Sequence, residues 1–197
     1  MTNTTEATQQ EIDLFVNSSH GDFAKVKECL QRYPEILNCP SSMQETALGA
    51  AAHTGQKKIA DFLLEAGAPL DICTAAMLGK TAEVKQMLAA DPSLCNAKGS
   101  HGIPVMYFAA LNGSVEIAEI LLASGAAVNG GEGVITPLHG AVIARKMEMA
   151  NWLLAHGAAT DAKDYSGKTA FECAAAAKQT EMAEIISKAS AMKAVAI

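Results

Sequence analysis

Apolar residues alternate along the chain between two patterns, each of a length that suits one short helix. The first is a run of alanine and other small residues that ends near a glycine, as in TALGAAAHTG at 46–55. The second places apolar residues at i, i+3, i+4 and i+7, as in VEIAEILLASG at 115–125, which is typical of a helix with one buried face. The alternation predicts pairs of short helices joined by turns.

This pair of patterns occurs six times. The positions that end the first pattern of each copy are separated by 34, 24, 34, 32 and 33 residues, so one interval is clearly shorter than the others. A unit of this size cannot bury its apolar face alone, but stacked copies can bury theirs against their neighbours. The sequence therefore predicts a single domain over 11–189. Its six repeats are expected at 11–40, 41–69, 70–97, 98–130, 131–162 and 163–189.

The fifth repeat carries the most specific motif, TPLH at 136–139, followed by Leu-Leu and Gly-Ala pairs within 153–158. Thr136 suits a helix N-cap, and Pro137 suits the first helical position because it has no N–H to leave unpaired. Together with the period, these motifs resemble the ankyrin repeat. The resemblance covers roughly residues 11–189. It implies an all-α solenoid of about six stacked helix pairs, with hairpin or loop tips along one edge.

His139 is the residue of this motif that could carry chemistry. A catalytic histidine needs a nucleophile or a carboxylate partner, and no motif in the sequence supplies one. The resemblance implies instead that this histidine makes hydrogen bonds that brace a hairpin. We therefore predict a structural role for His139 and no enzymatic activity.

The short interval falls between the second and third repeats. Too few residues separate Leu64 from Ala75 for a helix end, a full hairpin and the next helix start. We expect a tight connection without a projecting finger at 67–73. The exits of the first and third repeats, at 38–45 and 96–103, are expected to keep theirs.

The two ends of the chain differ from the repeats. Residues 1–10 are polar, with no apolar anchor before Ile12, and are expected to be disordered. Residues 190–197 are expected to fray. The N-terminus lacks the basic and apolar regions of a signal peptide, and no apolar run reaches the roughly 18 residues that span a membrane. A cytoplasmic protein without a membrane partner is the expectation, although export without a cleaved signal would leave no such mark.

Charge and chemistry-bearing residues narrow the function further. The net charge is −6 and basic residues are not clustered, which argues against binding to nucleic acid. The five cysteines and five histidines show no metal-ligand spacing. The glycines at 130–133 lack the Lys-Ser/Thr that follows in a phosphate loop. We expect no cofactor, no metal and, by default, a monomer.

The resemblance places a binding surface on the concave face, beside the hairpin tips. From the third repeat onward the equivalent positions are largely apolar, and such exposed residues in a contiguous groove favour a contact surface. Met77 is expected to be exposed, because the missing finger beside it would leave it uncovered. The alternative is that these side chains pack beneath the neighbouring hairpin. The candidate partner-binding residues are Met77, Leu78, His101, Tyr107, Leu111, Asn112, Ile143 and Tyr165.

The function that this reading favours is a non-catalytic protein-binding scaffold, with a helix or extended segment of a partner lying across repeats three to five. Fold alone cannot name the partner. Three alternatives stay open. They are a dedicated regulatory or inhibitory subunit of one enzyme, an exported effector, and an enzyme whose site is grafted on the concave face.

Overall fold

The protein, described here by a computed structural model over residues 6–195, is built from short helix pairs. These residues contain twelve α-helices and no strand beyond isolated bridges. The helices are α1 (Gln9–Ser18), α2 (Phe23–Arg32), α3 (Ala47–His53), α4 (Lys57–Glu65), α5 (Ile72–Leu78), α6 (Thr81–Ala90), α7 (Val105–Asn112), α8 (Val115–Ala123), α9 (Pro137–Ile143), α10 (Met147–Ala155), α11 (Ala170–Ala176) and α12 (Thr180–Val195).

The helices form two layers, because each odd-numbered helix pairs with the helix that follows it. The first helices of the pairs stack in chain order from α1 to α11. Alanine lines the contacts between them, and the Ala-Ala pairs of α3, α5 and α7 are almost fully buried. Small side chains let neighbouring helices approach closely, so the alanine-rich pattern and the stacked architecture have the same cause. The predicted all-α repeat solenoid is confirmed.

Side chains that precede the first helices, except for Pro104 before α7, satisfy free N–H groups at the helix starts. The Thr46, Thr136 and Thr169 hydroxyls each accept a hydrogen bond from the backbone N–H three residues on. Asp71 does the same for α5 with its carboxylate. The helix starts therefore follow from local sequence, as expected for N-cap residues.

The loop tips differ in length, as the repeat spacing predicts. A β-bridge between Lys98 and Pro104 closes the hairpin at 98–104, and a bridge between Lys163 and Thr169 closes the one at 163–169. At 41–45, backbone hydrogen bonds join Ser41 to Glu45 and Gln44 to Ser41.

Between α4 and α5 the chain has just the six residues 66–71, in which the structure shows no bridge. The tight connection predicted there is confirmed. An open cleft of about 520 Å³ lies beside it, between Asp71 and the hairpin residues Lys98 and Ser100.

The helices extend further toward both chain ends than the sequence pattern predicts. Thr8 and Glu11 form a capping box, in which each side chain accepts a hydrogen bond from the other residue's backbone N–H. Helix α1 therefore starts at Gln9 and includes residues 9–10 of the segment predicted to be disordered, while residues 1–5 lie outside the described part. At the other end α12 continues to Val195, and the predicted fraying from residue 190 stays a prediction. Residues 196–197 lie outside the described residues.

Candidate partner-binding groove

A groove of about 650 Å³ lies between the C-terminal ends of the first helices and the loop tips. Two of its sides come from the ends of α3 and α9, and α7 forms its floor. The hairpin at 98–104 and the loop at 133–135 form the remaining wall. The lining residues are His53, Thr54, His101, Ile103, Tyr107, Leu111, Gly133, Val134, Ile135, Ile143 and Tyr165.

Five of the eight predicted binding residues line this groove. Ile143 and Tyr165 stand at its rim with 54% and 80% of their surface exposed. His101 is exposed at the tip of the hairpin at 98–104. Tyr107 and Leu111 are buried in the floor, at 3% and 8% exposure. The rim is therefore available to a partner, whereas the floor presents only the edges of its side chains.

The other three predicted residues do not line the groove. Met77 is 1% exposed, so the expectation that it would be exposed is wrong. It lies in α5, which packs between α3 and α7, and the helices on either side cover it whether or not a finger is present. Leu78 is half-buried against the core. The Asn112 side-chain amide donates to the Met77 carbonyl oxygen over 2.7 Å, so this amide links repeats four and three.

Tyr107 fixes the floor of the groove. Its hydroxyl donates a hydrogen bond to the His53 carbonyl oxygen over 3.1 Å, which joins α7 to the end of α3. Burial raises the pKa of Tyr107 to about 12, and the nearby Tyr165 hydroxyl adds to this shift. The hydroxyl is therefore protonated at neutral pH and acts as a donor. Leu111 fills the space beside Gly55, where an added Cβ would lie 3.3 Å from its Cδ2.

The loop at 131–135 holds the groove wall against the next hairpin. The Gly133 N–H donates to the Lys163 carbonyl oxygen over 2.9 Å, and the Tyr165 N–H donates to the Val134 carbonyl oxygen over 2.8 Å. These two bonds place Tyr165 beside the apolar wall residues Val134 and Ile135. The position of the rim therefore depends on the backbone path of this loop.

Gly131→Ala is expected to destabilise the protein more than Gly133→Ala. Both glycines have a φ of 76°, which costs an alanine about 1–2 kcal/mol at either position. At Gly131 the new Cβ would also overlap the Ile135 carbonyl oxygen, whereas at Gly133 it would meet nothing within 4 Å. Urea denaturation of both variants measures the difference. Equal losses of unfolding free energy would show that the loop moves without cost and does not fix the wall.

His139 links the helix start of repeat five to the next hairpin. Its Nδ1 lies 2.7 Å from the Thr136 hydroxyl, and its Nε2 lies 3.0 Å from the Lys168 carbonyl oxygen. The carbonyl can only accept, so Nε2 carries the hydrogen and Nδ1 accepts from Thr136. Burial lowers the pKa of His139 even though the Lys168 bond and the Asp164 charge oppose this shift. The neutral ring braces the hairpin at 163–169, as the resemblance implied.

Asp164 and Cys173 lie close to His139 and give the group the composition of a cysteine-dependent catalytic site. Its geometry does not support that chemistry. Burial and the Asp164 charge raise the pKa of the Cys173 thiol, so the sulfur is not an activated thiolate. Both nitrogens of His139 are occupied by Thr136 and Lys168, which leaves no free base.

A second polar cluster at one end of the groove was not predicted. The Glu45 carboxylate is 6% exposed and lies among the imidazoles of His20, His53 and His101. Burial alone would raise the pKa of Glu45. The polar side chains of His53 and Ser100, and the imidazoles of His53 and His101 in their protonated forms, outweigh burial, so the pKa of Glu45 is lowered and the carboxylate is ionised.

Part of this cluster could be predicted from the sequence. His20 and His53 end the first helix patterns of adjacent repeats, so stacking brings them together. His101 comes from a hairpin turn at left-handed φ, which no periodicity predicts.

Comparison with known proteins identifies the repeat. A family model of three ankyrin repeats matches residues 72–164, and a single-repeat model matches residues 43–75. Together they span more than half of the chain and include the TPLH motif with its bonded histidine. The chain belongs to the ankyrin-repeat family.

Two curated relatives contain similar ankyrin segments. A transient receptor potential cation channel subfamily A member 1 homolog from Caenorhabditis elegans is 28% identical over 177 residues, which are 84% of this chain and 14% of the channel. A putative ankyrin repeat protein from Rickettsia felis is 48% identical over 63 residues, which are 31% of this chain and 27% of that protein. The chain thus matches only a small part of either relative's length.

Ankyrin repeats are in general protein–protein interaction modules and typically non-catalytic. Among residues 6–195, none of the helices has the length and apolar character needed to cross a bilayer. The groove lies beside the loop tips of the ankyrin fold and is bordered by exposed apolar side chains of this chain. It is therefore the candidate partner-binding site.

Proposed function

We propose that the protein is a non-catalytic binding module that holds a segment of a partner protein in the groove. The observation that carries this proposal is the pair of exposed apolar side chains, Ile143 and Tyr165, beside a continuous apolar floor. Large apolar side chains on a soluble protein's surface are costly when grouped, and they mark contact sites when they border a concave surface. Tyrosine is enriched at such sites because one side chain supplies both apolar area and a hydroxyl.

The lining of the groove indicates what kind of segment it holds. Apart from the two histidines, its residues carry no formal charge at neutral pH, and most are apolar. A partner segment with apolar or aromatic side chains would bury them here without leaving a charge unpaired. The groove spans repeats two, four, five and six, with the floor residue Leu111 reaching past repeat three toward Gly55. A helix or an extended segment laid across these repeats fits that span.

Ile143→Asp and Tyr165→Asp are each expected to weaken partner binding by at least about tenfold. A charge placed at the apolar rim would lie unpaired in the interface, and a hot-spot contact residue contributes about 2 kcal/mol or more, which exceeds the 1.4 kcal/mol of a tenfold change. The partner is first captured from native cells with the parent protein and identified by mass spectrometry. Dissociation constants are then measured with purified proteins.

Leu14→Asp is the matched control for this experiment. Leu14 is 46% exposed on α1, outside the groove, so its substitution introduces the same charge at a similar exposure. Melting curves for all three variants show whether they remain folded. If the two rim variants bind like the parent, or if Leu14→Asp weakens binding as much as they do, the groove is not the binding site.

A further inference from the structure

Three histidines from different segments surround one buried carboxylate at the end of the groove. His20 follows α1, His53 is the last residue of α3, and His101 lies at the tip of the hairpin at 98–104. Glu45, which they surround, directly precedes the N-cap of α3. We propose that this His/Glu cluster is a binding site for a divalent transition-metal ion, with zinc the best match to its donors.

The distances within the cluster fit a shared metal ion. His20 Nε2 lies 3.4 Å from Glu45 Oε2, and His101 Nε2 lies 3.4 Å from Glu45 Oε1. Both contacts are longer than the usual 2.7–3.2 Å of an N–H···O hydrogen bond. Two ligands that each lie about 2.0–2.1 Å from a tetrahedral zinc ion are separated by about 3.3–3.4 Å. These donors are therefore already spaced as joint ligands are.

The hydrogen bond of His20 leaves a lone pair directed toward the cluster. His20 Nδ1 lies 3.0 Å from the Asn17 carbonyl oxygen, which can only accept, so Nδ1 carries the hydrogen. In the neutral ring, Nε2 then presents a lone pair to the Glu45 carboxylate. Two electron-rich atoms in this position repel each other unless a proton or a metal cation lies between them. A backbone carbonyl that orients the far nitrogen is also the usual outer partner of a metal-binding histidine.

His53 and Glu45 complete the set. His53 Nδ1 lies 3.1 Å from the Gly49 carbonyl oxygen and 3.0 Å from Glu45 Oε1, so Nδ1 carries the hydrogen and Nε2 of the neutral ring has the lone pair for a metal ion. One ligand atom from each of His20, Glu45 and His53 can be chosen so that all three lie within 4.8 Å of one another. Three segments of the chain thus bring their donors to one point.

The groups nearest the buried charge of Glu45 are imidazoles. Within the part of the chain whose side chains are described, these histidines lie within ion-pair distance of Glu45, whereas no lysine or arginine does. The buried Glu45 Oε1 also accepts no hydrogen bond of good geometry. Neutral imidazoles do not balance the charge of a buried carboxylate, whereas a bound cation does.

The donor chemistry selects the class of metal. Imidazole nitrogens with one carboxylate suit zinc and its first-row neighbours, whereas calcium and magnesium prefer all-oxygen sites. The backbone at His101 has a left-handed φ of 58°, a conformation that Gln44, Arg145 and Lys178 share. That conformation turns the hairpin tip back toward the end of α3.

Metal binding by the untagged full chain tests the proposal. After removal of metal, zinc is titrated by calorimetry at about pH 7.5, where an ordinary imidazole is neutral. Cobalt is titrated in parallel, because its visible absorption reports coordination geometry. One equivalent is expected to bind. His20→Ala and Glu45→Gln, which each remove one of the converging ligands, should each weaken binding by at least about tenfold, the smallest loss seen even when an outer partner is removed.

His156→Ala and Cys173→Ser are the controls, since they alter an exposed histidine and the separate group around Asp164. Both should leave zinc binding unchanged. Because the His20 side chain is 34% exposed just after the end of α1, its variant should fold even if Glu45→Gln does not, and circular dichroism checks this. Absence of binding, equal binding by parent and His20→Ala, or loss of binding in Cys173→Ser would each overturn the assignment.

Discussion

Phe108→Ala is expected to lower the free energy of unfolding by about 3–5 kcal/mol. Phe108 is 1% exposed in α7, and its ring packs edge to face with Tyr107 at a centroid distance of 5.5 Å. It also lies beneath the hairpin at 98–104, so close that a Cβ added at Gly99 would be 2.6 Å from the ring. The substitution would therefore open a cavity in the core and remove the support of this hairpin.

Urea denaturation followed by circular dichroism measures the loss, with Phe171→Ala as the matched control. Phe171 is 40% exposed on α11, so removal of its ring should cost no more than about 1–2 kcal/mol. If the two variants lose the same stability, Phe108 does not hold the centre of the stack.

His139→Ala is expected to cost about 2–4 kcal/mol above pH 7, and this cost should shrink as the pH falls. The variant leaves the Thr136 hydroxyl and the Lys168 carbonyl oxygen without their partner, each at about 1–3 kcal/mol if water does not reach them. Since burial lowers the pKa of His139, the native state binds fewer protons than the unfolded state does. The parent therefore loses stability as the pH falls below the ordinary value of 6.5, and the variant lacks this loss.

Unfolding free energies of parent and variant at about pH 7.5 and about pH 5.5, on either side of the ordinary imidazole pKa, check the sign. Other titrating groups are common to both proteins, so their contributions cancel in the comparison. His156→Ala, which alters an exposed histidine, should give a difference that stays small at both pH values. A cost at His139 that is constant or larger in acid would contradict a neutral, buried ring.

Local patterns predicted the fold because each repeat is specified by its own residues and its two neighbours. The caps at Thr136 and Thr169, and the short link at 66–71, could be read from spacing alone. The structured N-terminus could have been read as well, since Thr8 and Glu11 have the spacing of a capping box. That signal was outweighed by the polar composition around it.

The candidate site was only partly predictable, because side-chain burial depends on helices in other repeats. Met77 was wrongly predicted to be exposed because no loop projects beside it. Its side chain is buried because α3 and α7 pack on either side of α5. The His/Glu cluster was missed because its members are separated by up to about 80 residues and share no spacing. A turn at left-handed φ directs His101 into it, and sequence periodicity carries no information about such a turn.

The six-residue link between α4 and α5 marks a boundary at which neighbouring repeats are weakly connected. Loops at 129–135 and 157–169 hydrogen-bond to each other, but 66–71 is too short to form a hairpin of this kind. Helix α5 also contacts α3 less extensively than it contacts α7. In stacked repeats cooperativity is transmitted through such interfaces, and a weak one separates units that open independently. If the stack opened at this boundary, His53 and Thr54 would move away from the remaining groove wall. The affinity for a bound partner segment would then be coupled to partial unfolding at this boundary.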